Sequence, residues 1–324
     1  MKILITGCAG FIGFSLAHKL LQSKSHTIIG IDNIDNYYDT KIKKDRLNKL
    51  KKFNNFKFLK VDICNKKKIE KVFTKYKNIK VVINLAAQAG VRYSFINPDK
   101  YIDVNIKGFF NMIDISKKYK INLFLFASSS SVYGDNKSKK LKENDNTIKP
   151  ISLYGATKLS NEIIAYTYAK LFKLNSVGLR FFTVYGPWGR PDMSLNQFVK
   201  NIISNKKIYL FNGGDHIRDF TYIDDIINGI VKVINKKIKI KKQKVPFQIL
   251  NIASSRPVKL KYYLKLIEEK LIKKSIIRFL PLQKGDIRKT HGDTTEIRKF
   301  GYRPIIKIEK GISNFVDWYK SYYK

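Results

Sequence analysis

The stretch that most constrains the fold is the first one. Residues 3–6 are an apolar run, and Gly7-Cys8-Ala9-Gly10-Phe11-Ile12-Gly13 follows without a break. The run predicts a buried parallel strand, and the amphipathic segment after it predicts a helix through about residue 22. Glycines here let the backbone turn tightly, approach a pyrophosphate and pack helix on strand, while the helix N-terminus faces the negative charge. The spacing is G-x-x-G-x-x-G, not the commoner G-x-G-x-x-G. A chain that opens this way is expected to be α/β, with a Rossmann-type doubly wound parallel sheet whose Gly7, Gly10, Phe11, Ile12 and Gly13 cradle a dinucleotide.

The next strands supply the rest of that cradle. A second strand over residues 27–31 ends at Asp32, about twenty residues past the loop, where a carboxylate accepts hydrogen bonds from ribose hydroxyls. A 2′-phosphate would meet a like charge there, and Asn33 beside it supplies no cation, so NAD is expected over NADP. A third strand over 58–61 leads to Asp62 and Ile63, placed to cover the adenine; the alternative role for Asp62 is a helix cap, since Asn65 and a lysine-rich helix follow. A fourth over 81–85 runs from Leu85 into Ala86 and Ala87, small enough for the cofactor to pass closely.

Chemistry enters with the fifth strand, 123–127, which runs into Ser128-Ser129-Ser130-Ser131-Val132-Tyr133-Gly134. A loop serine usually satisfies the backbone. Four together, at the strand end where such sheets present ligands, suggest donors for a reacting hydroxyl or ketone. Tyr154-Gly155-Ala156-Thr157-Lys158 then places a phenol and an ammonium one helical turn apart on one face. A phenol titrates near pH 10, so it becomes a useful base only when something such as the lysine stabilises its phenolate. Alone, Y-x-x-x-K is a weak signal among 19 tyrosines and 64 basic residues; the dinucleotide fold around it is what gives it meaning.

Long helices are expected over 99–118 and 153–173. Their apolar residues Tyr101, Val104, Phe109, Met112, Ile163, Ile164, Tyr168 and Phe172 cover more than one stripe, which fits either ordinary core or a homodimer face. Past about residue 182 the alternation loosens, and Pro187-Trp188-Gly189-Arg190-Pro191 reads as a loop leaving the sheet. Residues 1–182, with segments returning at about 220–253, are expected to form the dinucleotide domain; 183–219 and 254–324 form a smaller C-terminal α/β substrate domain. A strand over 248–252 is expected to rejoin the sheet, and the basic run 236–244 to be a solvated loop.

Composition narrows the partners. The formal charge of +39 would suit nucleic acid, but the lysines are dispersed and accompany abundant isoleucine and asparagine, as a codon bias would produce, with no basic stripe interleaved with aromatics. No nucleic-acid partner is expected. Cys8 and Cys64 lack a framework spacing, which fits free thiols in a cytoplasm, and no metal site is suggested. No run approaches the roughly 18 apolar residues of a membrane span, and Met1-Lys2 runs straight into the first strand, so a soluble protein without membrane insertion is expected.

Taken together, the motifs resemble the extended short-chain dehydrogenase/reductase family, its nucleotide-sugar 4-epimerases, and most closely the UDP-glucuronate 4-epimerases. The similar stretches are Ala86-Ala-Gln-Ala-Gly-Val-Arg-Tyr-Ser94, the serine run, Leu179-Arg-Phe-Phe-Thr-Val-Tyr-Gly-Pro-Trp-Gly-Arg-Pro-Asp-Met193 and Arg218-Asp-Phe-Thr-Tyr-Ile-Asp-Asp225, and the resemblance as a whole extends over nearly the whole chain. The resemblance implies that Tyr154 is the base, that Lys158 lowers its pKa and binds the nicotinamide ribose, and that Ser129 bridges the substrate hydroxyl, with Ser130 or Ser131 as alternatives one register away. It implies a UDP-sugar whose carboxylate is held by Thr183 and the serines, whose diphosphate or ribose meets Arg190, Arg218 and Asp286, and whose uracil is covered by the segment holding Phe211. NAD, tightly bound and recycled, and a role in surface-polysaccharide synthesis follow from the same likeness. Cys8, Gly155, Lys284 and Gly292 depart from the family pattern, the last two in the nucleotide-facing segment. A UDP-glucuronate decarboxylase, an epimerase of neutral UDP-hexoses and a non-catalytic NAD scaffold are the rival readings; Ser130-Ser131, where decarboxylases and dehydratases carry acids, argues for epimerisation.

Overall fold

The computed structural model describes residues 1–237 and 244–324, so most of the basic run 236–244 lies outside the described residues. Six parallel strands, β1 Lys2–Thr6, β2 Thr27–Asp32, β3 Phe56–Lys60, β4 Ile79–Asn84, β5 Leu123–Ser129 and β6 Ser176–Phe181, are joined by a seventh, Phe247–Ile252. Their order is (247–252)–β6–β5–β4–β1–β2–β3. Every neighbouring pair is parallel, as expected for a doubly wound sheet. The order reverses between β1 and β4, and a crevice opens at the strand ends there.

Helices cover both faces, which is why β1 reads as an almost unbroken apolar run and β6 is buried at every residue. One face buries Phe14, Leu16, Leu47 and Ile230; the other buries Val72, Met112, Ile113 and Ala165. Beyond β6 the chain builds small two-stranded pairs, among them Lys207–Phe211 with Ile276–Leu280, and the helices Ser194–Ile203, Leu260–Leu271 and Ile308–Tyr322. Among the described residues, no helix is long and apolar enough to cross a membrane.

Two expectations change, and one strand is added. The helix expected over 99–118 is a turn of α-helix Pro98–Tyr101, a wider π segment Ile102–Gly108 and a second α-helix Phe109–Lys118. A Cβ on Gly108 would lie 2.7 Å from Ile63, so the π segment brings backbone against the strand end. β5 runs through Ser129, leaving two of the four serines on the strand. β6, which no sequence signal singled out, is the sheet's most continuously buried strand.

β6 also brings Arg180 beside Ser128 of β5 in register. Arg180 donates to Glu162 at 2.9 and 2.7 Å, and Ser128 Oγ donates to the same carboxylate. Both charged side chains are buried. Glu162→Ala strands the guanidinium, so it should destabilise the protein by about 3–5 kcal/mol in denaturant unfolding, whereas Glu162→Leu with Arg180→Met should recover most of that loss.

Candidate active site

The glycine loop is held by backbone proximity. Gly7 has φ +69°, and a Cβ on it would lie 2.9 Å from Ala86 N; a Cβ on Gly13 would lie 2.1 Å from Gly7 O. Neither position admits a side chain. Gly7 N donates to Ile31 O at 2.8 Å and Gly10 N to Gly7 O at 2.9 Å, and Gly10 caps the helix Phe11–Gln22 without a side-chain bond, leaving N–H groups open to an anion. Asp32, ending β2, accepts from Ala9 N at 3.0 Å and Ile34 N at 2.8 Å. Burial raises its pKa, opposed by those two N–H groups and by Lys43 and Arg46.

Asn33 itself supplies no cation, but two cations act on Asp32 from farther along the chain. They come from the helix Thr40–Lys51, not from the residue next to it. Lys43 is buried and lines the cavity. Arg46 is fully buried, donating to Ala9 O at 2.8 Å and to Trp188 O at 2.5 Å, so it ties the glycine loop to the loop that carries Arg190. Within the run Lys41-Ile42-Lys43-Lys44-Asp45-Arg46 nothing marks these two among the solvated bases, except that 42, 43, 46, 47 and 50 share one helical face.

Asn33 donates to Asp62 at 2.9 Å, and Asp62 also accepts from Cys64 N at 2.7 Å. Burial pushes the Asp62 pKa up, but these bonds outweigh it and hold the carboxyl low. The helix cap is Asn65. Ile63, Leu85, Ala86 and Ala87 complete this side of one cavity of about 460 Å³, which runs from Asp32 to Tyr154 and on to Arg218 and Asp286. The glycine cradle, the open helix N-terminus and the acid at β2 fit a dinucleotide.

At the cavity's centre, Ser152 caps the helix Leu153–Phe172 by accepting from Gly155 N at 3.1 Å. A Cβ on Gly155 would lie 2.6 Å from Ser131 O, so glycine in place of alanine lets this helix start press directly on the serine loop. Lys158 Nζ lies 5.9 Å from the Tyr154 ring centroid and donates to Ala127 O at 3.0 Å. It is 3% exposed, and burial brings its pKa down to about 8. The Tyr154 phenol is raised by burial, opposed first by the Ser129 hydroxyl and then by Arg190. The expected lowering of Tyr154 is therefore not a property of the protein alone: desolvating a phenolate outweighs the neighbours the chain supplies.

The serines separate by role. Ser128 turns back to Glu162. Ser129 accepts from Ser131 N at 3.1 Å and donates to Ser131 Oγ at 3.2 Å; it lines the cavity with Ser130, Ser131 and Thr183. Arg190, also in the lining, is held by Asp192 through two bonds of 3.0 and 2.5 Å. Arg218 donates to Asp286 at 2.8 Å, and buried His216, which the sequence did not single out, lies 3.3 Å from the same carboxylate. Arg288 accepts from Arg218 through its backbone carbonyl at 3.0 Å. Gly292 serves packing: a Cβ there would lie 2.7 Å from Ala253. Phe211 is outside the lining, one face of its ring covered by Arg92.

Comparison with known proteins places this geometry. Residues 3–253 match the model of the NAD dependent epimerase/dehydratase family. The chain belongs to that family. It is 45% identical to Protein CapI of Staphylococcus aureus, with 100% of both chains covered, and 38% identical to UDP-glucuronate 4-epimerase 1 of Arabidopsis thaliana, over 100% of this chain and 77% of that one. The structure of UDP-glucuronic acid 4-epimerase from Bacillus cereus, in complex with UDP-glucuronic acid and NAD, superposes with a TM-score of 0.92 at 33% identity over 100% of both chains.

In this epimerase/dehydratase family member, Lys158 sets a testable opposition between stability and function. Its folded pKa, about 8, lies below its unfolded value, so the unfolded chain binds the extra proton between pH 8 and about 10.5 and stability rises with pH across that window. Lys158→Met should therefore gain up to about 3 kcal/mol in the ligand-free protein at pH 7, an advantage that shrinks toward pH 10.5, while losing turnover. Thermal unfolding at pH 7 and pH 10 measures the difference.

Proposed function

We propose that this enzyme interconverts UDP-glucuronate and UDP-galacturonate by NAD-dependent 4-epimerisation. One observation carries the reading: Tyr154, Lys158 and Ser129 face a cavity continuous with the glycine cradle at one end and Arg218–Asp286 at the other, with hydroxyls and no carboxylate at 130 and 131. The relatives named for that activity, and the Bacillus cereus complex with UDP-glucuronic acid and NAD, support it.

Gly7, Gly10, Gly13, Asp32, Asp62 and Ala86 hold the NAD. Bound there, NAD supplies the hydride acceptor for sugar carbon 4 and the donor on return. Tyr154 takes the proton of the 4-hydroxyl, and Ser129, bonded between that hydroxyl and the phenol, fixes the line of transfer. Lys158, protonated below about pH 8, stabilises the phenolate one turn away and is oriented by Ala127 O. The 4-ketone of a uronate is a β-keto acid, prone to lose carbon dioxide. Ser130, Ser131 and Thr183 pin its carboxylate while the sugar turns about the diphosphate and presents its other face. Arg218 and Asp286 keep the nucleotide end fixed during that turn.

Residues 1–182 with 220–253 act as the dinucleotide half and 183–219 with 254–324 as the substrate half, a division supported by the sheet ending at Ile252. The product, a glycosyl donor, serves the glycosyl transfer reactions of surface-polysaccharide synthesis. The unpaired thiols Cys8 and Cys64 suit a cytoplasmic enzyme.

A homodimer accompanies this reading. Tyr101, Phe109 and Met112 are core of the chain's own sheet, but Phe110, Ile163, Tyr166 and Phe172 leave large apolar surfaces exposed on the two neighbouring helices. Sedimentation at micromolar concentration should give a dimer that Ile163→Asp dissociates; a wild-type monomer refutes it.

Purified protein given UDP-glucuronate without added NAD should yield UDP-galacturonate at a constant ratio by NMR and no carbon dioxide. Release of gas with a UDP-pentose would make it a decarboxylase. Tyr154→Phe should abolish turnover, by a factor of about 10³ or more, while NAD still copurifies; retained turnover would exclude the assigned base.

A further inference from the structure

Phe211 ends the strand Lys207–Phe211, and the Arg92 guanidinium lies over its ring with Cζ 4.6 Å from the centroid. Arg92 opens the short turn Arg92–Phe95 that follows β4, so this contact crosses from the sheet to the substrate side of the cleft. The same guanidinium stands 3.9 Å from Asp286. Asp286 already holds Arg218 at 2.8 Å and has His216 at 3.3 Å, which makes Arg92 the third and most distant basic side chain on one carboxylate. It is also the least committed, its side chain being 59% exposed against 16% for Arg218 and 4% for His216.

Resting on the UDP-sugar reading above, we propose that Arg92 is a substrate-binding residue that exchanges partners: it yields the Phe211 face to the nucleotide base and takes the diphosphate oxygens in return. A guanidinium and a pyrimidine are both flat groups that seek the face of an aromatic ring, and they compete for this one. Displaced from the ring, the guanidinium keeps a loose pairing with Asp286 and presents a planar fork that matches phosphate oxygens. Arg218 remains bonded to Asp286 and does not need to move.

The exchange treats the two halves of the ligand oppositely. A nucleoside has to displace Arg92 from Phe211 and offers it nothing, whereas a nucleoside diphosphate supplies the charge that draws it away. Arg92 thus favours nucleoside diphosphates over nucleosides, independently of the sugar.

Calorimetric titration of the NAD-containing protein with UDP and with uridine tests this. Arg92→Ala should weaken UDP about tenfold or more and leave uridine no weaker than in wild type. Phe211→Leu should weaken both ligands, since both stack on the ring. Equal weakening of UDP and uridine by Arg92→Ala would mean a merely structural contact, and undiminished UDP binding would mean no diphosphate contact; either overturns the exchange, as does unchanged uridine binding in Phe211→Leu. Wild-type protein that binds neither ligand would overturn the UDP-sugar reading itself.

Discussion

The site depends on how closely backbone can approach backbone at the end of β1. Gly7 sits against Ala86, and Gly13 against Gly7 O, at separations that exclude any Cβ. That contact sets the start of the helix Phe11–Gln22 over the strand ends, aims its open N–H groups into the cleft, and lets Asp32 reach Ala9 N. Arg46 extends the constraint across the cleft by bonding Ala9 O and Trp188 O together, so the loop bearing Arg190 is registered against the glycine loop. A fully buried guanidinium is tolerable there because carbonyl oxygens and the Tyr38 hydroxyl accept from both of its terminal nitrogens, although Nε has no partner among the described residues.

A second anchor fixes the reacting end. The Glu162–Arg180 pair is the floor under the serine run: it takes the Ser128 hydroxyl as a donor, and Ser129 to Ser131 follow along the cavity wall. Gly155 presses the helix of Tyr154 and Lys158 onto the same loop. The serine hydroxyls and the Tyr154–Lys158 turn are thus placed by buried packing. The cost falls on Lys158 and Tyr154, whose charged forms are both disfavoured by desolvation. Such opposed, perturbed groups in one cleft are what acid–base chemistry near neutral pH requires.

The large positive charge has little to do with this site. Acidic groups order the site: Asp62, Asp192 and Asp286 each hold a cavity-lining group in place, and Asp32 holds Ala9 N of the glycine loop. Many of the lysines are solvent-exposed. The cations that shape the site, Lys43, Arg46, Lys158 and Arg180, are buried and individually bonded.

The sequence by itself determined the glycine cradle, the acid at the end of β2, the serine run and the Tyr154–Lys158 turn, because each depends on local spacing: two residues per strand face, four per helical turn, a glycine where no Cβ fits. From these the Rossmann-type sheet and the chemistry were legible. The tertiary structure alone decided which residues of remote segments meet them. Lys43 and Arg46 were hidden in a lysine-rich helix, β6 carried no turn signal, and His216 and Arg92 acquired meaning only when Asp286 and Phe211 folded against them. The fold also set the surroundings of that pair: spacing places Lys158 beside Tyr154, but the balance between a neighbour's charge and the loss of water is a property of burial, which no local pattern encodes.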